Sequence, residues 1–179
     1  CTALNRITFG KNIVTIGGSA FSGCTGLTNI KLENNVTSIG GSAFAGCTNL
    51  VNIILPDSIT KIGGSAFSNC TSLQSIKIPG GVTAIASNTF EYCNSLTNVT
   101  IPDNVTAIDG RAFYHCSNLA HITLGDGLSH IGYQVFYGCG NLSSITFGKN
   151  IATIDKEVFY GCGSLSKVYI TDLAEWCNV

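Results

Sequence analysis

The sequence predicts a solenoid of short parallel strands, and three columns of residues predict it. Cysteine recurs every 23 residues, at Cys1, Cys24, Cys47, Cys70, Cys93, Cys116, Cys139 and Cys162. A leucine follows each by three residues, from Leu4 to Leu165. Phenylalanine holds a third column at Phe21, Phe44, Phe67, Phe90, Phe113, Phe136 and Phe159. A period of about 20–29 residues with an L-x-x-I-x-L core marks a leucine-rich-repeat solenoid. The expected fold is therefore a leucine-rich-repeat solenoid of about eight 23-residue coils. It should carry a continuous parallel β-sheet on one side and short turns or extended segments on the other.

The strand comes first in each coil. Leu27, Ile30 and Leu32 set the frame, and Ile30 and Leu32, two apart, share one face. Asn29 and Lys31 then face outward. The same spacing recurs from Leu4-Ile7-Phe9 to Leu165-Val168-Ile170, so each coil should add one strand to the sheet. The strand should end at Gly10, Glu33, Pro56, Pro79, Pro102, Gly125, Gly148 or Thr171, since proline cannot donate to a ladder. Two residues on stand Asn12, Asn35, Ser58, Gly81, Asn104, Gly127 and Asn150, where a left-handed turn residue is expected. Pairs such as Val36 and Ile39 predict a second extended segment. Ala43-Phe44 and its equivalents should close a tight bend with both residues inside, around a corner of small residues such as Gly17, Gly18 and Ser19. A single coil cannot bury these positions, so several must stack.

Composition narrows the function. Charged residues make up 11% of the chain and apolar ones 45%, which excludes a highly charged disordered chain. Net charge is −1, from nine basic and ten acidic residues scattered along the length. No basic stripe suggests nucleic acid. No apolar run reaches the ~20 residues of a membrane span. The chain opens in mid-frame at Cys1 and reads as a piece of a longer protein, so its ends do not indicate localisation.

The cysteines lack the close pairing of zinc ligands. Eight share one frame position and should stack about 4.8 Å apart with parallel side chains, poor geometry for a disulfide. They read as a ladder of buried, unreactive thiols. Cys177 alone leaves the period, and its role is open.

Catalysis finds no foothold. There is no Gly-rich phosphate loop, H-E-x-x-H or G-x-S-x-G. His121 and His130 should lie on different sides of one coil, which argues against a shared metal. No catalytic, cofactor or metal residue is expected.

Two outward stripes are candidates for binding. The first is the strand face, with Lys31, Ile54, Lys77, Thr100, His121, Thr123 and Tyr169. Its competing reading is an ordinary solvated sheet. The second is the column Tyr114, Tyr137 and Tyr160, which follows Ser22, Ala45, Ser68 and Glu91 at the same frame position. Tyrosine favours binding patches, but such a ladder also stabilises a solenoid by stacking. The column Thr37, Thr60, Thr83 and Thr106 has no regular partner column to make an ice-binding face. Five glycosylation sequons begin at Asn35, Asn69, Asn98, Asn104 and Asn141, and matter only in a eukaryotic source.

After Thr171 the frame stops. T-D-L-A-E-W-C reads as the start of a helical cap, with Asp172 as N-cap, Glu175 three residues on and Trp176 over the core. The expected organisation is a solenoid over 1–170 and the start of a cap, cut short, over 171–179.

The frame C-x-x-L-x-x-I-x-[IL]-[PG]-x-x-[IV]-x-x-I-x-x-x-A-F resembles the BspA-like leucine-rich repeats of bacterial and protozoan surface proteins. The ending VYITDLAEWC is also similar to segments that close such arrays. The resemblance implies a secreted or cell-surface, non-enzymatic module for adhesion or protein recognition. Its expected partner is an extracellular-matrix or cell-surface protein, met by a monomer. A spacer that presents another module, or a carbohydrate-binding surface, is the alternative.

Overall fold

The computed structural model describes residues 1–170. The expected cap, with Asp172, Glu175, Trp176 and Cys177, lies outside the described residues. Thirteen strands run along the coils. The longer ones are β2 (Asn29–Lys31), β4 (Asn52–Ile54), β7 (Asn98–Thr100), β9 (His121–Thr123), β11 (Ser144–Phe147) and β13 (Lys167–Ile170). The others have two residues each: β1 (Thr15–Ile16), β3 (Ser38–Ile39), β5 (Lys61–Ile62), β6 (Ala84–Ile85), β8 (Ala107–Ile108), β10 (His130–Ile131) and β12 (Thr153–Ile154). Longer and shorter strands alternate where a coil lays one on either side of the core; β5 and β6 follow one another because coil 4 has no strand in the first sheet.

All pairing is parallel and in frame. Ile30 faces Ile53, Val99 faces Ile122, and Ile122 faces Ile145. The fourth coil joins the first sheet only through Ser75, which bridges Asn52 and Asn98. Seven coils therefore contribute to this sheet. The first does not, and only part of Leu4-Ile7-Phe9 is covered. The second sheet is split. β1-β3-β5 forms one ladder and β6-β8-β10-β12 another. The seam falls where Gly-Gly-Ser at the corner gives way to Ala86-Ser87-Asn88. A Cβ on Gly63 would lie 2.5 Å from the Gly41 backbone nitrogen. Ala86 carries a Cβ at the equivalent position, but so do Asp109 and Asp155, whose coils pair, so that Cβ does not by itself open the seam; the corner still joins coils 3 and 4 through Ser65 N–H to Ser87 O at 2.9 Å.

The left-handed residues are not at the turn after the strand. Asn12, Asn35, Ser58, Gly81, Asn104, Gly127 and Asn150 all avoid positive φ. Several reach to the preceding coil instead. Asn35 Nδ2 donates to the carbonyls of Lys11 and Ile13, and Asn104 Nδ2 to Val82 at 2.5 Å. Ser58 Oγ donates to Val36 at 2.6 Å. Positive φ falls at the corner, on Ser19, Ser42, Ser65, Asn88, Arg111, Gln134 and Glu157, with φ of 55–61°. That conformation costs roughly 1–2 kcal/mol for a residue with a Cβ. It is offset by a bond to the next coil: Ser42 N–H meets Gly64 O at 2.9 Å and Arg111 N–H meets Tyr133 O at 2.9 Å.

The core is a strip of columns. Phe44, Phe67, Phe90, Phe113 and Phe136 are wholly buried, and neighbouring rings stack 5.3–5.7 Å apart within 18° of parallel. Beside them runs the thiol column. From Cys47 to Cys162 each Sγ donates to the carbonyl of the phenylalanine 26 residues earlier, as Cys70 to Phe44 at 3.2 Å and Cys116 to Phe90 at 3.1 Å. Every described cysteine is free, and those from Cys24 to Cys139 are buried. Burial pushes the thiols of Cys47 and Cys162 up to about 11, and those of Cys70, Cys93, Cys116 and Cys139 higher still.

Two outcomes follow. Phe113→Ala removes a ring stacked on both sides, and should cost about 3–5 kcal/mol in a urea titration. The thiols hold their protons in the fold to higher pH than in the unfolded chain. Their contribution should be complete below the ordinary thiol value of 9.0 and decline as pH rises above it. The loss should approach ~1.4 kcal/mol per pH unit for each deeply buried thiol. Melting temperatures between pH 7 and pH 11 (about two units above a free thiol) measure it.

Candidate functional site

The strand face is the broader of the two candidate surfaces. Period-two alternation sends Ile30, Ile53, Val99 and Ile122 inward, so Asn29/Lys31, Asn52/Ile54, Asn98/Thr100 and His121/Thr123 project outward, and all eight are exposed. Ile54 and Tyr169 are 51% and 52% exposed, and are large apolar groups on a polar surface. His121 Nδ1 lies 3.0 Å from Ser144 Oγ in the next coil. His130 sits on β10 across the coil, beside Thr153 Oγ1 at 2.7 Å and Asp155 at 4.0 Å. The two histidines therefore do lie on different sides. Among the described residues, no three His, Cys, Asp or Glu side chains converge as metal ligands would.

Charge on this face is one-sided. Lys31, Lys77 and Lys167 stand on it, Arg6 holds the same frame position in the unpaired first coil, and among the described residues no carboxylate shares these positions. Among residues 1–170 the other five cations stand against eight carboxylates, a balance of −3 off this face. The carboxylates sit in the turns and beyond. Asp57 reaches Lys77 at 3.0 Å, with both side chains more than three-quarters exposed, and such a pair contributes little. At the end of the face, Lys149 binds Asp126 at 3.0 Å. The Lys149 ammonium holds the Asp126 carboxyl below the usual carboxylate range and is itself raised by it.

The second surface is the corner of the later coils. Tyr114, Tyr137 and Tyr160 form the expected ladder, with centroids 5.1 and 4.9 Å apart and rings within 21° of parallel. Tyr160 is 63% exposed. Crowding among the rings raises the Tyr137 phenol, chiefly by desolvation and then by Tyr160 and Tyr114. The ladder is part of a larger cluster that column spacing does not reveal. Tyr92 and His115 belong to the next frame position. They stack on each other at 5.4 Å, and Tyr114 meets both edge-on. His115 takes φ 55° there, which turns its ring toward the tyrosines.

Arg111 joins this cluster from the left-handed position. Its guanidinium lies 5.2 Å from the Tyr114 centroid and 5.6 Å from that of Tyr133. Lys156 approaches Tyr133 at 5.6 Å. Arg111 Nε donates to Gln134 Oε1 at 2.8 Å, and Gln134 Nε2 to Glu157 Oε2 at 2.6 Å. Coils 1–3 have only serine at this position, and coil 4 has Asn88. Long side chains in a costly conformation thus gather in coils 5–7, beside the tyrosines. Arrangements of this kind cluster at functional sites. Among the described residues, Tyr and Arg, the residues most often dominant in interfaces, concentrate there. Arg111 and Tyr133 were legible as residue types in the later repeats but not as members of this patch.

The comparisons bear on the whole array. A profile of the BspA type leucine rich repeat region matches residues 1–110 and 83–175, in six copies. No curated protein matches the chain. Among solved structures, a leucine rich repeat protein of T. pallidum is 35% identical with a TM-score of 0.76, over 86% of this chain and 72% of that one. A leucine-rich repeat protein from Bacteroides ovatus is 29% identical with a TM-score of 0.63; the match covers 95% of this chain but 55% of that protein. A leucine rich cell surface protein from Faecalibacterium prausnitzii is similar in fold, at 22% identity and a TM-score of 0.54, over 93% of this chain and 79% of that one. The thiol, leucine and phenylalanine columns, the parallel two-sided coil and these matches lead to one conclusion: the chain belongs to the BspA-type leucine-rich-repeat family.

Proposed function

We propose that this chain is a non-enzymatic recognition module, working at the cell surface or outside the cell, that binds a protein partner through the corner of coils 4–7. The observation that carries this is the preorganised Tyr-Arg cluster. Arg111 is held against two tyrosine rings and tied by Gln134, so little side-chain freedom is lost on docking. The ladder rings stack face to face and so turn edges and hydroxyls outward, which suits a polar, shape-matched protein surface. An extracellular-matrix or cell-surface protein is the partner class the family implies.

A second docking surface is supported by the acid-free strand face. It would take an acidic partner across Lys31, Lys77 and His121, with Ile54 and Tyr169 as apolar anchors. The two sites respond differently to salt. Cluster docking should change little between low and physiological ionic strength, whereas strand-face docking should weaken, because exposed charges are screened within about 8–10 Å.

Immobilised matrix and cell-surface glycoproteins provide the test. The chain should bind at least one saturably. The Tyr114/Tyr137/Tyr160→Ser variant should lose affinity by a hundredfold or more, taking roughly 1–2 kcal/mol or more for each hot-spot ring. Its circular dichroism should match the parent, since the rings lie outside the core. Binding that survives this variant but falls in Lys31→Glu/Lys77→Glu moves the site to the strand face. No binding to any of them favours the spacer reading. Arg111→Ala alone should weaken cluster docking about tenfold or more, while Arg6→Ala leaves it unchanged.

A further inference from the structure

Thr100, Thr123 and Thr146 stand in register on β7, β9 and β11, one per coil. Several other coil hydroxyls bond back to the chain. Thr106 Oγ1 donates to Thr83 O at 3.3 Å, Ser129 Oγ to Thr106 O at 3.1 Å and Ser143 Oγ to Ala120 O at 3.2 Å. No group among the described residues engages the hydroxyls of Thr100, Thr123 and Thr146. They form a row of free donors and acceptors at one strand spacing.

This row borders a groove of about 510 Å³ at the end of the strand face, walled by Pro102, Asp103 and Asp126. The volume is within the usual range for small-molecule sites, about 300–1,000 Å³. Its shape comes from a change of turn residue. Pro102 in coil 5 becomes Gly125 and Gly148 in coils 6 and 7. A Cβ on Gly148 would collide with the Gly125 carbonyl oxygen, so these turns pack backbone on backbone. The acidic wall is fixed. Asp103 Oδ1 accepts the Asp126 N–H at 3.0 Å, and Asp126 Oδ1 the Lys149 N–H at 3.4 Å. The other Asp126 oxygen is held by the Lys149 ammonium.

We propose that the groove beside Thr100, Thr123 and Thr146 binds a neutral, extended glycan, with sugar hydroxyls paired to the threonine row and to the free oxygen of Asp103. The chemistry excludes other occupants. Two carboxylates disfavour an anion. Lys149 already neutralises one of them, which leaves little to attract a cation. A peptide cannot add as a strand, because β9 and β11 are paired on both edges. A sugar chain needs alternating hydroxyl partners and small apolar contacts, and the threonine hydroxyls, threonine methyls and Pro102 ring provide them. An extended β-linked chain advances by close to one sugar ring per coil, so each ring meets one threonine. This site is independent of the protein-docking cluster, which it does not touch.

The test is a titration of the isotope-labelled chain with unsubstituted hexasaccharides of β-1,4-glucan, β-1,4-mannan and β-1,4-xylan, read by amide shifts. At least one should shift amides of 100, 101, 103, 123–126 and 146–149. Thr123→Val/Thr146→Val keeps the shape and removes two hydroxyls, and should weaken that binding about tenfold or more. Tyr114/Tyr137/Tyr160→Ser should leave it unchanged. Silence with all three glycans, shifts outside the groove, or equal affinity in the valine variant would each overturn the proposal.

Discussion

Every coil must sit one strand spacing from its neighbours, and the rest of the molecule depends on that constraint. It is imposed by three stacked sets at once: parallel strands in frame, phenylalanine rings 5.3–5.7 Å apart, and thiols that donate to the carbonyl of the phenylalanine 26 residues earlier. Because free thiols can donate to a carbonyl without spanning the core, cysteine fills this column where serine would need a stronger partner and valine could offer none. No buried polar side-chain atom among the described residues is left without a partner. A change in one column must therefore be matched by its neighbours, whereas an outward position can vary alone.

That division explains where function can reside. Coils 1–3 spend the corner position on serine, the least demanding residue that tolerates it. Coils 5–7 place Arg111, Gln134 and Glu157 there at the same backbone angle. The inter-coil hydrogen bond at that position stabilises the conformation whatever the side chain is, so the scaffold can carry bulky groups without refolding. The strand face follows the same logic. Its outward residues differ from coil to coil, while Ile30, Ile53, Ile76, Val99 and Ile122 stay buried beneath them.

Most of the buried architecture could be read from the residues, because burial is periodic and period is visible in a sequence. Leu, Phe and Cys columns, the strand frame and the inward Ala-Phe bend all follow from spacing. The left-handed corner could not, since serine gives no signal of positive φ and the asparagines of the other turn gave a misleading one. Those amides satisfy carbonyls of the preceding coil, an inter-coil role that local turn chemistry does not reveal. The aromatic corner was half legible. Tyr114, Tyr137 and Tyr160 share a column, but Tyr92 and His115 lie one position away and meet them only in space. Nor does sequence distinguish a threonine that bonds to its backbone, such as Thr106, from one that does not, such as Thr123.

The seam between coils 3 and 4 has a mechanical meaning. Between coils 3 and 4 the second sheet is interrupted and the first narrows to a single Ser75 bridge, whereas from coil 5 to coil 7 successive coils pair in both sheets. A repeat array transmits force from neighbour to neighbour, and its cooperativity is set by its weakest interface. Load along the axis would concentrate at this seam and divide the array into a plain front block of GGS coils and a rear block that carries the aromatic corner and the threonine groove. The rear block could then keep its binding surfaces assembled while the front block yields, as a fuse protects the circuit behind it.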